Sequence, residues 1–367
     1  MRIERTGDLQ WMGLAVRLAR RGTGATYPNP CVGAVVVKAG RVCSTACSAP
    51  TGGAHAEVRA LSEAGPEAIG ATVYVTLEPC SHFGRTPPCT RALIEAGVAE
   101  VVYGVSDPAG HASGRARKEL EAAGIEVREG VLRERCLRVH AHYLHHEHTR
   151  RPFVALKSAV SLDGRIACVT GDSRWITGEA ARTYVHRLRA RYHGIAIGVG
   201  TLLADDPRLN VRLVEGVDPQ PVIFDTHLRC LSADPQPRLL RAGTLVVHGP
   251  AIAEEARRAL DVTGAEGVEV ALGENGSVDV NAALEALGER PLRSLLVEGG
   301  GQLIASFVSA SAWQRWFYFQ APRLLGDGVP LLGQLSWSSV AQAPHLAVVR
   351  RRELGEDLLT VLAPRNS

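Results

Sequence analysis

The sequence predicts two consecutive α/β units, and three observations support this fold class. The chain has 367 residues, which exceeds the length that one hydrophobic core usually organises. Segments with apolar residues at helical spacing alternate with short β-branched runs, a pattern typical of helices packed on a buried sheet. A charged, histidine-rich segment at about 131–151 interrupts this alternation and ends before Pro152. We therefore expect one unit at 1–150 and a second at 151–367.

The first unit is predicted from apolar periodicity and from compact runs such as VGAVVVK. The predicted helices are at 9–21, 54–64 and 89–96, and the predicted strands are at 32–38, 72–77 and 100–105. The histidine-rich segment that follows is interpreted as a solvated linker helix. Its five histidines could indicate a second metal, but they fall around the helix rather than on one face.

The second unit shows the same alternation, with a helix predicted at 179–191 among several strands. The predicted strands are near 153–159, 194–199, 221–224, 243–247 and 293–297, with further candidates at 313–320 and 346–350. Asp163 and Gly164 are predicted to form a turn.

Four residues of the first unit indicate a hydrolytic zinc site. His55 offers an imidazole, and Cys80 and Cys89 offer two thiolates, which leaves water as the fourth ligand of tetrahedral zinc. Glu57 lies two residues from His55, so it can sit beside the metal and move protons without being a ligand. Buried structural thiols and a core histidine are the alternative, but four such residues in this order favour a metal site.

Bulk composition excludes several classes of protein. The hydrophobic content of 46% and the charged content of 22% are ordinary for a globular protein, and no apolar run reaches membrane-spanning length. The net charge of +3 is spread along the chain, which does not favour nucleic-acid binding. The start of the chain lacks the apolar stretch of a signal peptide, and the eight irregularly spaced cysteines are interpreted as reduced thiols and metal ligands. We expect a cytoplasmic protein.

A glycine-rich turn marks the second unit. In VEGGGQLIA, at 297–305, a predicted strand ends in three glycines and passes into a helix. Glycines let a backbone approach a ligand closely, and a helix start presents N–H groups to phosphate. The Rossmann pattern G-x-G-x-x-G is absent, and a strand-to-helix turn often requires glycine for its own geometry.

Taken together, these motifs resemble the bacterial family of bifunctional riboflavin-biosynthesis enzymes. The resemblance is carried by HAE at 55–57, by EPCSHFGRTPPC at 78–89, and by KSAVSLDGRIA, GDSRWIT and GVGTLLADDPRLNVR in the second half. It covers nearly the whole chain, with the motifs in the family's order. It implies a cytidine-deaminase-like three-layer α/β/α domain followed by a dihydrofolate-reductase-like α/β domain.

The same resemblance implies a two-step reaction and a set of site residues. The first domain would hydrolyse the 2-amino group of a phosphoribosylated diaminopyrimidinone with Zn²⁺, and the second would reduce the ribosyl group to ribityl with NADPH. The implied zinc ligands are His55, Cys80 and Cys89, with Glu57 as the proton shuttle. The implied NADPH contacts are Ala159, Trp175, Thr201, Asp205, Thr226, Gly300, Gly301, Gln302, Leu303, Ile304, Ala305 and Ser306. The implied substrate contacts are Asn29, Arg85, Lys157, Ser173, Arg189, Leu209, Arg212 and Glu298.

Elementary chemistry is consistent with these roles. Hydride transfer requires the donor carbon of the nicotinamide and the acceptor carbon of the substrate to be held in contact. The protein contributes to this step mainly by positioning the two molecules. Arg189 and Arg212 can hold a phosphate through forked hydrogen bonds. Lys157 could pair with the phosphate or the ribosyl oxygens, or could be an ordinary lysine of an edge strand. The family also suggests a homo-oligomer.

Two positions depart from the family pattern and leave alternatives open. Ser48 stands where the family has a histidine that would face the substrate, and Ala109 stands where it has an asparagine. The alternative hypothesis is a specialised paralogue with an active reductase and a first domain that is altered in substrate or inactive. A third hypothesis, a nucleic-acid deaminase, is disfavoured by the dispersed basic charge and the fused second unit.

Overall fold

In the computed structural model, the chain divides between Arg150 and Arg151 into two units, each built on its own sheet. The structure describes residues 7–83, 87–109, 114–333 and 335–365. Within these ranges, no helix combines the length and the apolar content needed to cross a membrane.

The first unit is a five-stranded sheet with helices on both faces. Its helices are α1 Asp8–Gly22, α2 Ala56–Ala64, α3 Cys89–Glu95, α4 Arg115–Ala122, α5 Arg133–Val139 and α6 Ala141–Thr149. Its strands are β1 Gly33–Lys38, β2 Arg41–Cys47, β3 Thr72–Val75, β4 Glu100–Tyr103 and β5 Glu126–Glu129. The strand order is β2-β1-β3-β4-β5, with β1 antiparallel to both neighbours and β3, β4 and β5 parallel.

Strand β1 explains why this unit has three layers. Successive side chains of a strand point to opposite faces of the sheet. Ala34 and Val36 belong to a core that includes residues of α2, α3 and α4, whereas Val35 and Val37 belong to a second core with α1 and α5. The continuous apolar run of β1 is therefore needed because both of its faces are covered.

The histidine-rich segment is not a solvated linker helix, and that prediction was wrong. It forms two helices, α5 and α6, and His140 and His146 are buried. The Nε2 atom of His140 lies 2.9 Å from the Thr76 hydroxyl at the end of β3. The spacing of histidines along a chain does not show which residues of other elements they contact. The burial of this segment could therefore not be predicted from the sequence.

The second unit contains a nine-stranded sheet. Its helices are α7 Glu179–Arg189, α8 Val199–Asp205, α9 Glu254–Thr263, α10 Val280–Gly288 and α11 Gly301–Ser309. Its strands are β6 Phe153–Val160, β7 Arg165–Ala167, β8 Gly194–Gly198, β9 Gln220–Phe224, β10 Leu245–His248, β11 Glu266–Glu269, β12 Ser294–Val297, β13 Arg315–Gln320, β14 Val329–Pro330, β15 Leu346–Leu354 and β16 Asp357–Pro364. The large sheet has the order β11-β10-β9-β8-β12-β6-β13-β16-β15, and β7 and β14 form a separate pair.

The parallel part of this sheet determines where a ligand can approach. The first seven strands in this order, from β11 through β13, all pair in parallel, whereas β16 pairs antiparallel with both of its neighbours, β13 and β15. Ligands of such sheets bind outside the carboxyl ends of the strands. The turns after β8, β9 and β12, which carry many of the expected cofactor contacts, all lie at that edge.

Strand β6 lies inside the sheet, between β12 and β13. The alternative interpretation of Lys157 as an ordinary edge-strand lysine is therefore wrong. The turn predicted at Asp163 and Gly164 is present, since the Gly164 N–H donates to the Ser161 carbonyl at 3.0 Å. The Asp163 carboxylate also accepts hydrogen bonds from the N–H groups of Leu325 and Gly326.

Candidate active sites

Three expected zinc ligands of the first unit come together in the structure. The Nδ1 atom of His55 lies 3.2 Å from the Cys89 Sγ and 3.4 Å from the Cys80 Sγ. All three ligand atoms lie within 4.8 Å of one another. A nitrogen and a sulfur bound to one tetrahedral zinc are about 3.5 Å apart. One imidazole and two thiols at these distances therefore have close to the spacing that a tetrahedral zinc site requires.

The local backbone explains how residues far apart in sequence meet here. His55 is the extended residue that precedes α2, and Cys89 is the first residue of α3 after Pro88. Cys80 lies in the loop that follows β3, and its sulfur accepts the Cys89 N–H at 3.3 Å. The N–H groups at a helix start stabilise a thiolate. Both helix starts therefore converge on the loop at the end of one strand.

The charges of this site depend on each other. The Cys89 thiol and the His55 ring stabilise the Cys80 thiolate and lower the pKa of Cys80 to about 4. The hydrogen bond to Cys80, together with burial, raises the pKa of Cys89. The contact with Cys80 also raises the pKa of His55 against the effect of burial. One thiolate, that of Cys80, is thus stabilised, and a divalent cation that bound here would displace the protons of Cys89 and His55.

Glu57 is a buried carboxylate beside these ligands. It lies in the first turn of α2 and is 3% exposed. Its Oε2 atom is buried and has no hydrogen-bond partner in the described part of the chain. Burial, followed by the Cys80 thiolate, raises the pKa of Glu57 to about 7, although His55 opposes this. An unpaired carboxylate oxygen in such a place is costly unless a ligand or substrate uses it.

The two departures from the family pattern have clear local roles. The Ser48 hydroxyl accepts the Val32 N–H at 3.0 Å, so it is committed to the backbone next to β1. Ala109 is buried, and its N–H donates to Asp107 Oδ1 at 3.0 Å. Asn29 is exposed at the end of a turn closed by Thr26. The expected contact Arg85 lies outside the described residues.

The second unit contains a buried cluster of charged groups. Arg189, at the end of α7, donates from Nε and Nη2 to the two carboxylate oxygens of Glu298, both at 2.9 Å. The Lys157 Nζ atom lies 3.9 Å from the same carboxylate. Residues 156 and 297 are register partners in adjacent parallel strands, so Lys157 and Glu298 are brought side by side by the sheet. Two cations therefore surround one carboxylate.

Burial and charge compete in this cluster. Burial alone would raise the pKa of Glu298, but Arg189 and Lys157 outweigh it and bring the pKa down to about 2. Burial lowers the pKa of Lys157, and the nearby Arg189 adds to this, while Glu298 opposes both. The carboxylate is thus ionised at neutral pH, and it holds two cations in a poorly solvated place.

A second group of expected substrate contacts lies in the segment after α8. Leu209 is buried and has a positive φ of 50°, and Arg212 is exposed. Burial lowers the pKa of Arg212, and repulsion from Arg189 and Arg208 lowers it further. An anion bound here would relieve that repulsion. Ser173 lies half-buried between β7 and α7.

Several expected NADPH contacts meet around the start of α11. Gly300 precedes the helix, and its N–H donates to the Thr201 hydroxyl of α8 at 3.0 Å. A Cβ at Gly301 would lie 2.5 Å from the Leu331 carbonyl oxygen, so this position requires glycine. Ile304 and Ala305 are buried, so their side chains face the core. Any cofactor contact from this turn is therefore expected from backbone N–H groups, Gln302, Leu303 or Ser306.

The other expected cofactor contacts are placed as follows. Trp175 is 58% exposed, with the Arg182 guanidinium 4.7 Å from its ring centre. Asp205 forms an exposed ion pair with Arg174 at 3.0 Å. The Thr226 hydroxyl, after β9, accepts the Val278 N–H at 3.2 Å. Ala159 is half-buried in β6.

One member of the second site was missed by the sequence reasoning. The backbone carbonyl of Asn210 accepts a hydrogen bond from Arg189 Nη1 at 3.1 Å. It thereby links α7 to the segment that carries Leu209 and Arg212. A backbone carbonyl leaves no signal in a sequence, because every residue has one.

Comparison with known proteins supports the division of the chain into a deaminase-like first unit and a second unit of another family. The family model of the cytidine and deoxycytidylate deaminase zinc-binding region matches residues 5–105, and that of the RibD C-terminal domain matches residues 152–360. The riboflavin biosynthesis protein RibD of Bacillus amyloliquefaciens is 38% identical over 359 residues, which cover 97% of this chain and 96% of the relative.

Two solved structures resemble the whole chain. RibD of Acinetobacter baumannii matches with a TM-score of 0.89 and 34% identity, covering 99% of this chain and 100% of that one. A diaminohydroxyphosphoribosylaminopyrimidine deaminase/5-amino-6-(5-phosphoribosylamino)uracil reductase of Thermotoga maritima matches with a TM-score of 0.84 and 35% identity, covering 98% and 99%.

The fold, the two sites and these matches define a bifunctional enzyme, a deaminase joined to a reductase, that uses Zn²⁺ and NADPH. The chain belongs to the RibD family of riboflavin-biosynthesis enzymes. The predicted fold class, the family resemblance and the riboflavin function are confirmed. None of these matches favours the alternative of a specialised paralogue.

Proposed function

We propose that the first unit converts 2,5-diamino-6-(5-phosphoribosylamino)pyrimidin-4-one to the corresponding uracil, and that the second unit reduces its ribosyl side chain to ribityl. Water replaces the ring 2-amino group, which leaves as ammonia. In the second step a hydride and a proton add to the opened ribosyl group. The observation that carries this proposal is the presence, in one chain, of the His55–Cys80–Cys89 trio and the Lys157–Glu298–Arg189 cluster.

In the first unit, we assign zinc binding to His55, Cys80 and Cys89. Zinc held there supplies an activated water molecule for attack on the ring carbon. Glu57 takes a proton from the attacking water through its unpaired Oε2 and passes it to the departing amino group. The low exposure of Glu57 keeps bulk water from competing for that proton.

In the second unit, we assign substrate binding to the charged cluster and to the segment after α8. NADPH supplies the hydride. Arg212 Nη1 donates to Asn210 Oδ1 at 3.2 Å, and the remaining N–H groups of its guanidinium are left for the substrate phosphate. Arg189 uses three of its N–H donors on Glu298 and Asn210, which makes it a weaker phosphate donor than Arg212. We assign Lys157, which lies 3.9 Å from Glu298, to the phosphate or the ribosyl oxygens of the substrate.

The remaining assignments concern the cofactor and the setting of the protein. NADPH contacts are assigned to the turn from Gly300, to Thr201 and to the other expected residues at the carboxyl edge of the sheet. We further propose a homo-oligomeric, cytoplasmic enzyme that acts on a small molecule and not on nucleic acid. Gel filtration with light scattering tests the homo-oligomeric state. Retention of the protein on single-stranded RNA or DNA at low salt would contradict the proposal that it does not act on nucleic acid.

Mass spectrometry of the products tests this function directly. The purified chain is incubated with the diaminopyrimidinone ribosyl phosphate, once without and once with NADPH. We expect amine to be replaced by carbonyl in both samples, and a gain of two hydrogens only in the second. If this substrate stays unchanged while its deaminated form is reduced, the first unit acts on another substrate or is inactive.

A further inference from the structure

His186 is a buried histidine that has no role in the proposed reactions. It lies on α7 one turn before Arg189, and it is 4% exposed. Residues three apart on a helix share a face, so His186 and Arg189 both face the segment formed by residues 209–212. This segment includes Leu209 and Arg212, two of the proposed substrate contacts.

The two side chains hold this segment at different points. The Nδ1 atom of His186 accepts the Arg212 backbone N–H at 3.2 Å. Arg189 Nη1 donates to the Asn210 carbonyl at 3.1 Å. Because a backbone N–H can only donate, Nδ1 must be unprotonated for the first of these bonds to form. The segment is thus held by an acceptor and a donor from one helix face.

The geometry points to His186 as a positioning residue of the reductase. We propose that its neutral ring holds residues 209–212 in the shape that presents the Arg212 guanidinium to the anionic group of the substrate. The segment needs such support because Leu209 has a positive φ of 50°, which is unfavourable for leucine. This inference rests on the substrate site proposed above, and it assigns a role to a residue that does not touch the substrate.

The charges around His186 favour its neutral form. Burial, followed by Arg189 on its own helix and Arg212 on the facing segment, lowers the pKa of His186 to about 4, although Glu298 at the end of β12 and a hydrogen bond with the Asn210 backbone oppose this. The ring is therefore an acceptor throughout the neutral range. As the pH falls toward 4, the ring gains a proton, Nδ1 stops accepting, and the segment loses one of its two supports.

Two substitutions separate positioning from simple packing. Asparagine can place its side-chain oxygen where Nδ1 lies, whereas leucine fills similar space without an acceptor. We expect His186→Leu to raise the KM for the deaminated substrate about five- to tenfold, with kcat within about twofold, and to weaken inhibition by inorganic phosphate by the same factor. His186→Asn should restore both values to within about threefold of the original protein. Ammonia release by the first unit of the same chain is the internal control.

The result that would overturn the inference is an unchanged KM in His186→Leu, or an equal loss in His186→Leu and His186→Asn. If the leucine variant does not fold, phosphate binding by the original protein and by His186→Asn, measured calorimetrically from about pH 7 to about pH 4, replaces it. Phosphate binding should weaken more in the original protein at low pH, because only the original protein has an imidazole ring at position 186. The same dependence of phosphate affinity on pH in both proteins would contradict the inference. An original protein that binds phosphate but does not reduce the deaminated substrate would contradict the proposed function and not the role of His186.

Discussion

Replacing Glu298 by glutamine removes the negative charge that lies between the cations Lys157 and Arg189, while keeping the shape of the side chain. The Glu298 side chain is 6% exposed and that of Arg189 is 13% exposed, so little solvent is available to screen the change. Breaking one side of a buried ion pair typically costs about 3–5 kcal/mol. The fall of the Glu298 pKa from 4.5 to about 2 corresponds to about 3 kcal/mol, which agrees with the lower end of that range.

Differential scanning calorimetry can measure this loss. In a unit of this size, about 1 kcal/mol shifts the melting temperature by about 2–4 °C, so Glu298→Gln should melt about 6–12 °C below the original protein. The relevant transition is identified by its upward shift with saturating NADPH. The matched control is Glu266→Gln, which breaks an ion pair with Arg290 at 2.6 Å. Glu266 is 59% exposed, so this change should cost about 1 kcal/mol or less.

The pH dependence of the same variant gives a second check. The folded-state pKa of Glu298 lies below its ordinary value, so its stabilisation is complete above about pH 4.5 and is lost as the pH falls toward 2. The difference in melting temperature between Glu298→Gln and the original protein should narrow over that interval. Equal losses in the Glu298 and Glu266 variants at neutral pH would refute the reasoning, because they would show that burial does not strengthen the Arg189 pair.

Two further predictions concern the metal and the cofactor. Cys80→Ser should lose the approximately one zinc per chain expected from metal analysis, together with ammonia release, while reduction of the deaminated substrate continues; zinc retained at full occupancy would refute the ligand assignment. Thr201→Val removes the acceptor of the Gly300 N–H and should raise the KM for NADPH several-fold, whereas Thr201→Ser, which keeps the hydroxyl, should not. An equal KM in the two Thr201 variants would show that this hydrogen bond does not shape the cofactor site.

Strands and helices could be predicted from the sequence where the order of apolar and polar residues reflects which of their faces are buried. Strand β1 is a continuous apolar run because both of its faces are covered, and it was located within one residue. Strand β2, Arg41–Cys47, was missed because its small and polar residues lack that pattern. It becomes a strand by pairing with β1 across a short turn, and such pairing depends on tertiary context more than on composition.

The two sites differ in how far the sequence could predict them. The grouping of His55, Cys80 and Cys89 could be predicted without a structure, because an ordered set of one imidazole and two thiols is typical of a metal site. The ion-pair cluster could not be derived from spacing, since Lys157 and Glu298 are far apart in the chain and meet only through the register of β6 and β12. The burial of His140 and His146 was missed for the same reason, because their packing partners belong to other elements.

The central claim is that the first unit carries out deamination and the second unit carries out reduction. Glu57→Gln tests it most directly, with zinc content, ammonia release and NADPH oxidation measured on one preparation. Zinc should stay at the level of the original protein, and the deaminated substrate should still be reduced at the original rate. Ammonia release should fall by a factor of about 10² or more, because we assign to Glu57 the proton transfers of the first step. Undiminished ammonia release would remove Glu57 from the mechanism, and a parallel loss of reduction would contradict the assignment of the two reactions to separate sites.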